Sequence, residues 1–120
     1  MNVAKLERLN PDDLGLFIKA AKLAFDVAEA EKLTLKLVQP KFRLDGCSCL
    51  GHCDFNKKEI TILIRNRNLK CDGHQWFKTP LKWKDINDTV LHEVAHLMYP
   101  DHSKQFRNYE TYLIKYYSIN

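Results

Sequence analysis

At 120 residues, with 45% hydrophobic and 28% charged residues, the chain is sized for a single globular domain that needs no cross-link to support its core. No apolar run approaches the ~20 residues of a membrane span, and Met1-Asn2-Val3-Ala4-Lys5 opens no secretory signal, so a cytoplasmic location without membrane contact is expected. The formal charge of +4 permits an anionic partner without requiring one.

The first element begins at Asn10-Pro11-Asp12-Asp13, where a capping Asn, a proline suited to the first turn and two acids at the positive helix end form a start signal. Leu14, Phe17, Ile18, Ala21, Phe25 and Ala28 then recur at helical spacing and predict an amphipathic helix to about Glu31. From Leu33 to Val38, Leu35 and Leu37 alternate with Thr34 and Lys36, and the pattern resumes from Lys41 to Leu44 beyond Pro40. Two short strands or one interrupted strand are expected there. A loop containing Gly46 and Gly51 leads to a further strand, with Ile60, Ile62 and Ile64 facing inward. Arg65 to Lys84, with Trp76, Phe77, Pro80 and Trp83 among basic residues, reads as partly irregular. A helix capped by Asp85 follows, with Ile86 as its first core residue and Pro100-Asp101 as its end. Ser103 caps a last helix whose stripe is Phe106, Tyr109, Leu113, Tyr116 and Tyr117.

The chemistry is concentrated in His92-Glu93-Val94-Ala95-His96. Residues four apart on a helix share a face, so His92 and His96 can turn two imidazoles toward one point, and Glu93, about 100° round by the ~3.6-residue turn, lies beside that point. This is the H-E-x-x-H arrangement, in which a glutamate takes a proton from a water acidified by the metal. A solvated helix can show the pattern by chance. Here Val90, Leu91, Val94, Ala95, Leu97 and Met98 surround it, and polar groups in such a setting require partners. His102 follows just past Pro100, and a catalytic zinc takes three protein ligands and leaves a fourth position open.

His92-Glu93-Val94-Ala95-His96 followed by His102-Ser103-Lys104-Gln105-Phe106 resembles the core of the minimal zincin metallopeptidases of the SprT-like, WLM and YgjP-like type. Leu50-Gly51-His52-Cys53 and Glu59-Ile60-Thr61-Ile62-Leu63-Ile64 are similar to the segment that leads, in that group, into an edge strand beside the active-site helix. The likeness covers roughly residues 33 to 117. It implies an α+β zincin-like fold: an N-terminal helix on a small mixed sheet, then the metal helix and a C-terminal helix. It further implies Zn2+ as cofactor, His92, His96 and His102 as ligands, Glu93 as general base, and hydrolysis of peptide bonds. The spacing also equals that of metzincins, but Tyr99 stands where they have a glycine. Minigluzincins take a glutamate from the following helix as third ligand, which makes Glu110 the alternative to His102.

Three rival readings remain. YbeY-like endoribonucleases share the histidine spacing and have a turn similar to Tyr99-Pro100-Asp101-His102, but carry glycine where this chain has Glu93. Peptide deformylases add an upstream cysteine, and Asp45-Gly46-Cys47 partly resembles that segment. An inactive zinc-containing binding module is the third. Cys47, Cys49, Cys53 and Cys71 offer no paired C-x-x-C knuckles, so reduced thiols are expected in preference to a second metal. The expected partner is a peptide or protein substrate, paired along the strand Ile60 to Ile64; SprT-like and WLM relatives extend this to DNA-associated proteins. Tyr109, Tyr112, Arg107 and His74 are the candidates for steadying an oxyanion. Nothing in the pattern fixes an oligomeric state.

Overall fold

The computed structural model describes residues 2–3, 9–42, 50–65 and 81–119. The expectations placed on Leu44, Gly46, Cys47, Cys49, Cys71, His74, Trp76, Phe77 and Pro80 lie outside them.

Helix α1 spans Pro11–Ala30. Its start follows the sequence signal: the Asn10 side chain accepts from the Asp13 backbone N–H at 2.8 Å, and Pro11 occupies the first turn. Asp13 does more than face the helix dipole, because it is fully buried and Arg65, just beyond the sheet, donates to its Oδ1 from Nη2 at 3.1 Å. That pair ties the end of the last strand to the start of α1. The buried stripe runs through Phe17, Ala20, Ala21, Leu23, Ala24, Val27 and Ala28, leaving Ile18 exposed and Phe25 at the margin. At the C-terminus Lys32 adopts φ 58° and the Leu33 N–H reaches back to the Ala28 carbonyl at 2.7 Å. This left-handed stop normally favours glycine.

β1 spans Leu37–Lys41, beginning later than Leu33 and running without a break through Pro40. It is a terminal strand of the sheet, a position that tolerates proline's missing N–H. Its buried face is Val38 and Pro40, opposite to the Leu35 and Leu37 face that the alternation suggested. β2 spans Gly51–Asp54 and β3 Glu59–Leu63, joined by a turn in which Asp54 Oδ1 accepts from the Lys57 N–H at 3.0 Å. Gly51 therefore belongs to a strand, where a loop was expected. The order is β1-β3-β2, with β1 and β3 parallel and β2 antiparallel to β3. Ile60, Ile62 and Ile64 are fully buried, as their spacing predicts, and Leu63 on the other face is buried too.

Helix α2 spans Trp83–His96 and α3 Lys104–Tyr117. α2 starts earlier than expected, with Lys82 at the cap position and no side-chain cap; Asp85 sits in the first turn, its carbonyl accepting from Thr89 Oγ1 at 2.8 Å. It ends at His96, ahead of Pro100. Ile86, Val90, Leu91, Val94 and Ala95 are fully buried, since α2 packs on α1, on α3 and on β2 and β3. The fold is thus α+β, three helices with a small mixed sheet. Ser103 caps α3 as predicted, accepting from the Phe106 N–H at 3.2 Å. Phe106 and Leu113 are buried, whereas Tyr116 is 66% exposed. Among the described residues no helix is long and apolar enough to cross a membrane.

Candidate metal centre

The last turn of α2 and the short reversal Leu97–Ser103 bring three imidazoles together. His96 Nε2 lies 3.2 Å from His102 Nε2, and His102 Nε2 lies 3.4 Å from His92 Nε2. One nitrogen from each falls within 4.8 Å of the others. Two ligands at zinc–nitrogen distances of ~2.0–2.1 Å, separated by a tetrahedral angle, would stand about 3.3 Å apart.

The far nitrogens explain why the near ones face inward. His96 Nδ1–H donates to the Tyr99 carbonyl at 3.0 Å, and His92 Nδ1–H donates to the Glu110 carboxylate. Both helix histidines therefore turn Nε2 lone pairs toward one point, and His102 can supply at most one proton between them. Such a donor set suits a cation, and these three residues can hold a metal ion. Burial lowers the pKa of His96, an effect partly offset by the Tyr99 carbonyl; the neutral form is the one that coordinates.

Phe106 is the wall behind the cluster. It is 1% exposed, stacks on His96 with centroids 4.3 Å apart, and meets His92 at 5.0 Å and His102 at 5.1 Å edge to face. Sequence spacing marked Phe106 only as a core residue and as part of the H-S-x-x-F resemblance. Its contact with all three rings was hidden because it depends on how α3 crosses α2. Glu110, four residues on, shares the Phe106 face. It meets His92 at Nδ1, the nitrogen turned away from the convergence point.

Glu93 projects to the other side, toward β2. It is 5% exposed, and burial raises its pKa to about 7 against the pull of His92 and Lys41. A carboxyl poised there can both accept and return a proton near neutrality. Gly51 makes room for it: a Cβ on Gly51 would stand 2.8 Å from Glu93 Oε2 and 2.7 Å from Thr89 Cγ2. Leu50 and Gly51 form one wall of an open cleft of about 520 Å3 that His92, Glu93, His102 and Glu110 also line.

A model of the WLM domain matches residues 23–118. The chain belongs to the WLM domain family. Among solved structures, this WLM domain is similar to Wss1 from Saccharomyces cerevisiae, with a TM-score of 0.73 and 21% identity over 95% of this chain and 83% of that one. A mutant of the same yeast protein gives 0.73 and 20%, covering 95% and 84%. A mutant of Wss1 from S. pombe gives 0.63 and 13%, covering 94% and 90%. No curated protein matches the sequence. These likenesses establish a shared fold with Wss1, and they agree with the WLM member of the resemblance drawn from the motif.

Other candidates fall elsewhere. The Tyr109 hydroxyl donates to Glu31 at 2.9 Å and that of Tyr112 to the same carboxylate at 3.1 Å, so both are engaged at the end of α1, and Arg107 is exposed. Cys53 is a free thiol packed against the core, and burial, reinforced by Glu93, pushes its pKa up to about 12. It is a poor thiolate ligand. The strand Glu59–Leu63, expected to receive substrate, is the central strand with both edges paired, and the edge nearest the cleft is β2.

Proposed function

We propose that this WLM domain is a zinc-dependent metallopeptidase, with His92, His96 and His102 as ligands and Glu93 as the general base. The observation that carries the reading is the convergence of three imidazole Nε2 atoms beside a buried carboxylate whose pKa is raised to about 7. Zinc bound there would supply Lewis-acid polarisation of the scissile carbonyl and an acidified water. Glu93 accepts the proton as water attacks the carbonyl carbon and delivers it to the leaving nitrogen as the C–N bond breaks. Among the described residues, the edge of β2 away from β3 has no strand partner. An extended peptide added to that edge would cross the cleft beside Glu93. The substrate is therefore a peptide or protein, with DNA-associated proteins an extension consistent with the net charge of +4.

Metal analysis of the purified chain should find about one zinc per molecule, and His102→Ala should lose most of it. Glu93→Gln should retain zinc while peptide hydrolysis falls by about 10²–10⁴-fold, the usual contribution of a general base. Full activity of Glu93→Gln on RNA would remove the peptidase reading in favour of a nuclease, and parent activity confined to formylated peptides would replace it with a deformylase.

A further inference from the structure

We infer that Glu110 is a positioning residue, which fixes His92 as a metal ligand without joining the metal's coordination; this rests on the three-histidine reading above. The His92 ring is held from opposite sides. Nδ1–H donates to Glu110 Oε2, while Nε2 faces His102 Nε2 at 3.4 Å. Because the two ring nitrogens point in opposite directions, a carboxylate bound to one leaves the lone pair of the other aimed at the convergence point.

The placement of Glu110 is set by several independent contacts. Ser103 caps α3 and so fixes its start. One turn later Phe106 is wedged against all three imidazoles, and Glu110 follows one further turn along the same face. On the flank of α3, Tyr109, Tyr112 and Tyr117 all donate to Glu31 at the end of α1, which adds a second tether between α3 and the rest of the fold. Glu110 is consequently held against Nδ1 by the framework of the protein.

The two helix histidines are served unequally. His96 gives its Nδ1–H to a neutral carbonyl, that of Tyr99, whereas His92 gives it to a carboxylate. The carboxylate makes the opposite nitrogen a stronger donor and adds negative charge to a set of three neutral ligands around a divalent cation. Glu93, the other carboxyl beside the set, is reserved for the proton. Glu110 thus contributes charge and orientation, and His102 contributes the third bond.

The test uses the full chain loaded with zinc or cobalt, comparing the parent with Glu110→Ala, Glu110→Gln and His102→Ala. Competition with a chromophoric chelator should show zinc bound about 10–100-fold more weakly in Glu110→Ala. The loss should be smaller in Glu110→Gln, whose amide oxygen still accepts the Nδ1–H. The visible bands of the cobalt form should keep their four-coordinate positions in Glu110→Ala and change in His102→Ala. The Nδ1 proton of His92, followed by nitrogen-15 NMR in the zinc form, should be present in the parent and exchange-broadened in Glu110→Ala. Unchanged zinc affinity together with an unchanged His92 signal overturns the inference while leaving three-histidine binding intact. A cobalt spectrum altered in Glu110→Ala as in His102→Ala overturns it by making Glu110 a ligand. Failure of the parent chain to bind zinc would overturn the metal-site reading itself.

Discussion

Gly51 and Glu93 lie so close that no side chain fits between them: a Cβ at Gly51 would stand 2.8 Å from Glu93 Oε2 and 3.1 Å from its Cγ. The contact is made by an edge strand against the metal-bearing helix, so the position of the proposed base is set by backbone on one side and by α2 on the other. Thr89 cannot relieve the crowding readily, since its hydroxyl is bonded to the Asp85 carbonyl and its methyl is the other close atom.

Gly51→Ala should therefore displace Glu93 while leaving the histidines in place. Peptide turnover is expected to fall by about 10²-fold, the cost of misplacing a catalytic group by roughly 1 Å, with zinc content unchanged. Kinetics and metal analysis on the same sample check this. Turnover equal to that of the parent would mean that Glu93 does not need its observed position.

Phe106→Ala should remove the wall shared by the three imidazoles. Truncating a fully buried phenylalanine costs about 3–5 kcal/mol, measurable by urea unfolding, and the loosened rings should release zinc to a chelator faster. A variant with the stability loss but the parent's release rate would limit Phe106 to packing.

The buried Glu93 gives the metal-free protein a distinctive pH dependence. Its pKa rises in the folded state from 4.5 to about 7, so between those values the native state holds a proton that the unfolded chain has released. The stabilisation is complete below the lower value and is lost as pH rises through the upper one. At about 1.4 kcal/mol per unit this amounts to about 3 kcal/mol. Unfolding curves of metal-free Glu93→Gln, which does not titrate, should gain on the parent across that window; parallel curves would show that Glu93 is not buried as an acid.

Glu31 works in the opposite sense. Burial pushes its pKa up, but the hydroxyls of Tyr117, Tyr109 and Tyr112 outweigh it and hold the value below the usual 4.5. Its contribution is therefore present above that value and lost as pH falls through the lowered one. Glu31→Gln should cost about 1 kcal/mol near neutrality, a hydrogen bond to a charged group discounted for solvent screening, and the difference should shrink in acid. A difference that stays constant with pH would rule out the ionised carboxylate as the source.

The local signals survived folding where their physics is local. Asn10 and Ser103 cap their helices because the cap bond spans three residues, and Ile60, Ile62 and Ile64 are buried because a strand alternates whatever it packs against. The i, i+4 spacing of His92 and His96 likewise determined that two imidazoles share one face, and it marked Glu93 as their neighbour. Tertiary structure decided the rest. Pairing with β3 starts β1 only at Leu37 and turns Val38 and Pro40 inward. Strand order put β3 in the centre and left the edge to β2, which local alternation cannot foresee because pairing joins segments far apart in sequence. The angle at which α3 crosses α2 set Phe106 against three rings and Glu110 against the back of His92. A sequence lists the groups able to bind a metal and move a proton; which nitrogen each histidine turns inward depends on the hydrogen bond made by the other, and those partners meet only in the folded chain.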